Sequence, residues 1–162
     1  MEKTIFLSGK HVNLFVLSEK HLINSKWLQL VNDQDISMYS SNSIFPVTKA
    51  EQLERIINRK KNNLDLGVID KRKKNFIGLI SLQRIDLVNR NAEIATLFDV
   101  KKNKNIANFY ESMILIIRHG FENLNLEKIY GGSINPNSFI ALRKMFNFTK
   151  EGVRKRHVFK NN

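Results

Sequence analysis

The chain has 162 residues, of which 42% are hydrophobic and 26% charged, an ordinary globular composition that suits one domain with a hydrophobic core and argues against disorder. It contains no cysteine, which excludes disulfides, thiol nucleophiles and thiolate metal sites. Twenty-seven Lys and Arg against 15 Asp and Glu give a formal charge of +12. This surplus favours polyanionic or phosphorylated partners, namely nucleic acid, a nucleotide cofactor, a nucleotide-linked substrate or a membrane surface, without choosing among them.

The N-terminus and the apolar runs predict no targeting or membrane-spanning segment. Residues 1–8 have too short an apolar run for a signal peptide. The longest strictly apolar run, 113–117, is too short to cross a bilayer. We therefore expect a soluble cytoplasmic protein.

The first third of the chain predicts one strand and two helices. Alternating apolar residues over 10–17 indicate the strand. Ser18 is a good N-cap for a helix that runs up to the polar loop 34–45. Thr48 and Glu51 form a capping box, which predicts the start of the second helix.

Three strands follow, with alternating or apolar patterns over 64–69, 76–85 and 91–98. The run of four basic residues at 71–74 is most simply a hairpin tip kept soluble by its charge. A localisation or nucleic-acid signal is a less favoured interpretation of it, because the run has no interleaved aromatic residues.

The stretch 91–133 predicts a βαβ unit, in which two parallel strands are joined by a helix over 106–123. The turn before this helix carries Lys101, Lys102 and Lys104. Unpaired N–H groups, the helix dipole and these lysines together favour a phosphate-bearing ligand, with a solvated basic turn as the alternative.

The spacing of apolar residues predicts which face of this helix is buried. The expected inward residues are Ile106, Tyr110, Met113, Ile117, Phe121 and Leu124, and the expected outward ones are Asn108, Glu111 and Arg118. After the βαβ unit, Asn135-Pro136-Asn137 opens another helix, and 153–159 predicts the start of a last hairpin.

The resulting order, β-α-α-β-β-β-α-β-α-β, resembles the GNAT superfamily of acetyl-coenzyme A dependent N-acetyltransferases. It is most similar to the subgroup of ribosomal-protein, spermidine and nucleotide-amino-sugar acetyltransferases. The resemblance covers nearly the whole chain and rests on these segments in their order: Trp27 followed by Asn32-Asp33, Ile77-Gly78, Ala92-Glu93-Ile94, Phe121 to Leu126, and Phe148 with Glu151-Gly152.

The resemblance implies a mixed α/β fold with a central mixed sheet of about six strands, two of them parallel and splayed. It implies a single domain over 1–162 that lacks the family's final strand, since the chain stops at Asn162 where relatives turn back. Either that strand is missing or a second subunit covers the edge, which would make a homodimer. The implied activity is transfer of an acetyl group from acetyl-coenzyme A to a primary amine.

The family binds the cofactor pyrophosphate through a glycine-rich motif at the helix start, and the aligned residues here are Lys104, Asn105, Ile106, Ala107, Asn108 and Phe109. Ala107 and Phe109 replace small residues of that motif, and a phenylalanine there could crowd the ligand. By resemblance, backbone N–H groups near Phe98, Asp99 and Val100 hold the cofactor, together with Asn135 and Ser138.

The resemblance also implies catalytic residues. Glu93 is the expected base, directly or through water, with a cross-strand pair to Arg84 as the alternative. Asn135 hydrogen-bonds the cofactor or a water, or else caps its helix. The place of the family's tyrosine acid is held by Leu142 or Arg143, so the thiolate takes a proton from water, Arg143 stabilises it, or activity is poor.

The resemblance implies that the first two helices and the terminal hairpin select the acceptor. The candidate residues are Trp27, for which a core position is the alternative, and Asn32, Asp33, Tyr39 and Phe45. The positive charge favours a nucleotide-linked amino sugar over a polyamine. The alternatives are a GNAT-shaped acyl-coenzyme A-binding protein with weakened catalysis, and an acetyltransferase of a protein N-terminus or another small amine. The four histidines show no metal spacing, so no metal is expected.

Overall fold

The computed structural model describes residues 4–19, 21, 27–33, 45–58, 62–98 and 106–158. Within these ranges, six strands form one mixed sheet in which spatial order follows chain order. The strands are β1 (Ile5–Ser8), β2 (Val12–Val16), β3 (Leu64–Asp70), β4 (Phe76–Asp86), β5 (Asn91–Phe98) and β6 (Lys128–Tyr130). The helices are α1 (Trp27–Asn32), α2 (Lys49–Ile57), α3 (Ile106–Glu122) and α4 (Pro136–Phe146).

Neighbouring strands are antiparallel from β1 to β5, and β6 then pairs parallel with β5. The parallel pair requires a crossover, which α3 supplies. The predicted mixed α/β fold and its βαβ unit are confirmed. None of the described helices has the length and apolar character needed to cross a membrane.

The two faces of the sheet are covered by different helices. Ala92 and Ile94 of β5 pack with Met113 and Ile116 of α3 in the larger core. On the other face Phe15 of β2 is the centre of a smaller core, to which α1 and α2 each contribute an apolar side chain. Because side chains alternate along a strand, odd-numbered residues of β5 face the α1 side and even-numbered ones face α3.

The predicted order was wrong at its two ends. The strand predicted over 10–17 is present as β2, but the order lacked β1, which precedes it and pairs antiparallel with it, from Ile5 opposite Phe15 to Ser8 opposite Asn13. At the other end, residues 153–158 form no strand in the structure, and Phe159 lies outside the described residues. The exposure of Val153 explains the second error, because the segment has no buried apolar face to hold it in the sheet.

The predicted buried face of α3 was wrong in part. Met113 is buried and Arg118 is exposed, as predicted, but Asn108 is 1% exposed and Ile106 and Phe121 are 64% and 45% exposed. The helix is rotated so that Met113, Ile116 and Gly120 face the sheet. Gly120 permits this close approach, because a Cβ there would lie 2.8 Å from a side-chain carbon of Ile129.

Candidate active site

The parallel strands β5 and β6 pair only at their beginnings. Their register ends at Glu93 opposite Tyr130, while β5 continues to Phe98. In the described part of the chain, β5 therefore has no partner on this side from Ile94 onward. We infer from the end of this pairing that the two strands splay apart, and we call the opening beyond Glu93 the wedge. Among the described residues, it leaves one edge of β5 with unpaired backbone groups.

The first turn of α3 lies at the end of the sheet toward which this opening widens. A helix of 17 residues carries partial positive charge at its N-terminus, where backbone N–H groups lack helical partners. Of the cofactor residues predicted from the sequence, Asp99, Val100, Lys104 and Asn105 lie outside the described residues. Ile106 and Ala107 are exposed at the start of the helix.

Phe109, which replaces a small residue of the family motif, is half-buried against the larger core. Its ring meets the ring of Phe98 edge to face, with centroids 5.1 Å apart. Aromatic rings in this arrangement attract each other. Phe109 thus fills the space between α3 and the C-terminal end of β5.

Asn108 fixes the same turn of α3 to the β3–β4 hairpin. Its side-chain Nδ2 donates to Oδ2 of Asp70 over 2.8 Å, and the Asp70 side chain also accepts from the backbone N–H of Lys73 over 2.8 Å. The Lys73 N–H is the main cause of a lowered pKa of Asp70, with help from Asn108, although burial of the carboxyl opposes it. The pair is buried and satisfied, so it anchors the helix.

Glu111 fixes α3 to the β1–β2 turn. Its carboxylate accepts hydrogen bonds from the backbone N–H groups of Lys10, His11 and Val12 at 2.5, 2.6 and 2.8 Å. A Cβ on Gly9 would lie 2.5 Å from the carboxyl carbon of Glu111, so only glycine leaves room for this contact. The outward placement predicted for Asn108 and Glu111 was wrong, because both bind turns of the sheet.

A cleft of about 370 Å³ lies where the two turns meet α3. Its walls come from Lys10, His11, Asp70, Lys71, Arg72, Ala107 and Asn108. The Lys71 side chain is held in place by a hydrogen bond of 2.9 Å, which its Nζ donates to the carbonyl oxygen of Gly9. The cleft gives the region beside the start of α3 a positive lining.

Glu93 lies at the apex of the wedge on the α1 side of the sheet. Its Oε2 accepts a hydrogen bond of 2.6 Å from Arg84, and the two side chains are 27% and 74% exposed respectively. The alternative pairing considered from the sequence is therefore present. An ion pair this open to water contributes at most about 1 kcal/mol, so it orients the carboxylate without locking it.

Two polar residues that the sequence analysis did not single out stand beside Glu93. Gln83 of β4 is directly opposite it, and Ser81 lies two residues earlier on the same face. The Gln83 Nε2 donates to Oγ of Ser81 over 3.0 Å, and Ser81 is 7% exposed. Asp65 of β3 is paired with Ser81 in register. The signal was two polar residues at alternate positions, which follow the apolar first half of the strand.

The four residues considered at α4 lie at its start, for Asn135 and Ser138, and in its second half, for Leu142 and Arg143. Asn135 is the N-cap, and its Oδ1 accepts from the backbone N–H of Asn137 over 3.0 Å. Ser138 is half-buried and donates its backbone N–H to the carbonyl of Asn135 over 3.1 Å. Leu142 packs against the larger core, whereas Arg143 is exposed. The expected cap is thus present, and contact of these residues with a cofactor stays a prediction.

The predicted acceptor residues are only partly brought together. α1, which begins at Trp27, contacts β5. The Asn32 side chain is already used, since it exchanges hydrogen bonds of 2.9 and 2.8 Å with the backbone of Val47. Phe45 is 79% exposed. Asp33 is half-buried at the end of α1, while Tyr39 and the Trp27 side chain lie outside what the structure describes.

Side chains suited to a metal are not gathered at this site. Across the described residues, no group of three or more His, Cys, Asp or Glu is placed to hold a metal ion. The chemistry available here is that of one carboxylate, an amide, a hydroxyl and backbone N–H groups.

Solved structures share this architecture. The chain is similar to the spermidine N-acetyltransferase from Vibrio cholerae in complex with CoA and spermine, at 23% identity and a TM-score of 0.78 over 94% of this chain and 89% of that one. It is similar to a GNAT-family acetyltransferase from Bacillus anthracis, at 17% identity and a TM-score of 0.76 over 95% and 89% of the two chains.

The microcin C7 self-immunity acetyltransferase, solved with acetyl-CoA and AMP, matches at 16% identity and a TM-score of 0.74 over 93% of this chain and 86% of its own. No protein-family model matches the sequence, and no curated protein does. Likeness at these identities establishes the fold. We conclude that this chain has the fold of the GNAT acetyltransferases, which confirms at that level the resemblance seen in its sequence.

Proposed function

We propose that this protein is an acetyl-coenzyme A-dependent N-acetyltransferase that acts on a primary amine. The observation that carries the proposal is the end of the β5–β6 pairing at Glu93, beyond which an opening between the strands would lead toward the start of α3. Proteins of the same fold have been solved with CoA or acetyl-CoA. An extended slot that ends at a helix N-terminus suits a long ligand with a diphosphate at one end.

The residues of this chain fit such a ligand in three places. The unpaired edge of β5 from Ile94 to Phe98 offers backbone donors and acceptors to an extended arm. The first turn of α3 offers N–H groups to the phosphates. Lys104, which precedes α3 in the sequence and lies outside the described residues, is proposed to bind the phosphates as well. Phe109 packs on Phe98, so its ring is held toward the core. Acetyl-coenzyme A supplies the acetyl thioester when bound.

Glu93 is proposed to take the proton that the amine must lose, directly or through a water. The amine nitrogen forms the new C–N bond, the C–S bond of the thioester breaks, and the thiolate takes a proton from water. Arg143, exposed on α4, is proposed to favour the departing thiolate by its charge. No tyrosine follows Tyr130 in the sequence to act as an acid.

The acceptor is proposed to approach from the α1 side, which Glu93 faces. The net charge of +12 favours a nucleotide-linked amino sugar, as expected from the sequence. One neighbour of the same fold was solved with spermine, so a polyamine belongs in the test as well. We define the amine panel as UDP-glucosamine, spermine and tetraalanine, which represent amino sugars, polyamines and protein N-termini.

A second candidate is an acyl-coenzyme A-binding protein without turnover. Two observations favour it, the bulk of Phe109 where the family has a small residue and the absence of a tyrosine after Tyr130. A protein that only binds acyl-coenzyme A would need the slot between β5 and β6 but would not need Glu93.

Two measurements test both candidates. Acetyl-coenzyme A at about 100 times its Kd should stabilise the protein by about 2.7 kcal/mol, which raises Tm by several degrees. Release of free thiol with one member of the amine panel then supports the enzyme. A Tm rise without thiol release from any panel member supports the binding protein. No Tm rise with acetyl-coenzyme A contradicts both.

A further inference from the structure

We infer that Gln83 holds the acceptor amine beside Glu93 and is a specificity-determining residue for that amine. The inference rests on the proposed function and names the group that recognises the nucleophile. Gln83 and Glu93 are directly opposite on the antiparallel strands β4 and β5. Opposite residues of this kind have Cβ atoms about 5 Å apart, so both side chains reach one nitrogen atom placed above them.

The hydrogen bonding of Gln83 decides which of its atoms faces the amine. Its Nε2 points toward Ser81, since it donates a hydrogen bond of 3.0 Å to the Oγ of that residue. Among the described residues, its Oε1 accepts no hydrogen bond, and an amide oxygen accepts two. Primary amines are donors, so Oε1 is complementary to them. Ser81, buried at 7% exposure, acts as a positioning residue that orients the amide.

The polarity of this face fits the same role. Gln83, Ser81 and Asp65 follow one another across β4 and β3, and Glu93 completes the row on β5. Glu93, which is paired with Arg84, and Asp65 therefore lie on the same side of the sheet. Acceptor oxygens favour an amine, which donates hydrogen bonds, over an anionic group.

Gln83 and Glu93 have different roles toward the amine. The Gln83 oxygen accepts one N–H and keeps it throughout, because an amide does not take up a proton near neutral pH. Glu93 takes the proton that leaves. The neutral amine has two N–H groups and one lone pair. With one N–H donated to Gln83 and the other to Glu93, the lone pair faces the thioester in the slot, and Glu93 takes its proton as the new C–N bond forms.

The test compares three variants with a matched control. Gln83→Leu removes the acceptor oxygen, Gln83→Glu keeps one, and Ser81→Ala removes the partner that orients the amide. Gln29→Leu, an exposed glutamine of α1, controls for the substitution itself. Binding of each member of the amine panel is measured by calorimetry with CoA present, and KM values for amine and acetyl-coenzyme A are measured separately.

For the best-bound panel member, Gln83→Leu should raise Kd and KM about tenfold, the size of one lost hydrogen bond to a charged or strongly polar donor. The KM for acetyl-coenzyme A should not change, and Gln83→Glu should bind the amine at least as tightly as the natural protein. Ser81→Ala should weaken binding about threefold and have no further effect when combined with Gln83→Leu.

The outcomes separate this inference from the proposed function. If the natural protein transfers acetyl groups and the amine KM is unchanged in Gln83→Leu, the role of Gln83 is overturned. The proposed enzymatic activity is then still supported. If amine binding depends on Gln83 but no acetyl transfer is detected, the amine site is supported and the proposed enzymatic activity is contradicted. If no panel member binds, or if Gln29→Leu weakens binding equally, the inference fails.

Discussion

The side chain of Asn108, in the first turn of α3, lies 2.8 Å from a carboxylate oxygen of Asp70 at the end of β3. Both residues are nearly inaccessible to water, with exposures of 1% and 4%. The contact joins the helix start, where a phosphate is expected, to a hairpin turn far away in sequence. The position of the helix N-terminus therefore depends on a polar contact that no local sequence pattern specifies.

Loss of this contact should destabilise the protein. In Asn108→Ala, the buried Asp70 carboxylate loses a donor, which costs roughly 1 to 3 kcal/mol of the free energy of unfolding. Urea unfolding measures the change, and Asn62→Ala, an exposed asparagine, is the control with an expected change below about 0.5 kcal/mol. Equal stability of the two variants would show that the buried contact contributes nothing.

The stability should also fall in acid because of Asp70. Hydrogen bonds, first that from the Lys73 N–H, hold the pKa of Asp70 below its ordinary value of 3.8 in the folded state. A depressed folded pKa gives stability that is present above the unfolded pKa and is lost as pH falls through the folded one. The free energy of unfolding should therefore drop below about pH 4.

Asp70→Asn tests the assignment, because an amide does not titrate. Its stability should be lower at pH 7 and should fall less steeply between pH 5 and pH 2 than that of the natural protein. Glu51 and Asp86 also have lowered pKa values, so part of the slope should remain. Identical slopes in the two proteins would assign the acid sensitivity to other carboxyl groups.

Gly9 and Glu111 should be coupled. Gly9→Ala places a methyl group against the Glu111 carboxylate and breaks its hydrogen bonds to the β1–β2 turn, at a cost of roughly 2 kcal/mol. Glu111→Ala alone should cost a similar amount. The double variant should be no less stable than Glu111→Ala, because the obstacle is gone. Additive losses in urea unfolding would refute the coupling.

Glu93→Gln should lower turnover with acetyl-coenzyme A and the active panel amine by roughly 100-fold or more, as for loss of a general base. Cofactor affinity by calorimetry should be unchanged, since Glu93 faces the α1 side, from which the acceptor is proposed to approach. Glu127→Gln, which changes an exposed carboxylate elsewhere, should keep full turnover. Full turnover in Glu93→Gln would remove this residue from the mechanism.

Lys104→Glu should weaken cofactor binding with little effect on the fold, because it reverses a charge in the turn expected to meet the phosphates. The Kd for CoA should rise about tenfold or more at low salt, and the difference should shrink at high salt. Lys155→Glu makes the same charge change in the C-terminal segment. Equal Kd values in both variants would contradict the phosphate placement.

The order of the middle elements followed from the sequence because each was specified locally. Alternating apolar residues set β3 to β5, and the capping box of Thr48 and Glu51 is present at the start of α2. The βαβ unit was predicted from the same kind of pattern, and the cap made by Asn135 is one of the two roles considered for it from the sequence. These features need only neighbouring residues to form.

Tertiary structure decided the rotation of α3, the hairpin of β1 and the row beside Glu93. A helix with apolar residues on much of its circumference does not determine its buried face, and the buried Asn108 and Glu111 contacts came from turns distant in sequence. Gln83 meets Glu93 only through the β4–β5 register. Register and helix rotation depend on contacts between distant segments, which is why the sequence placed the elements and only the fold assembled the site.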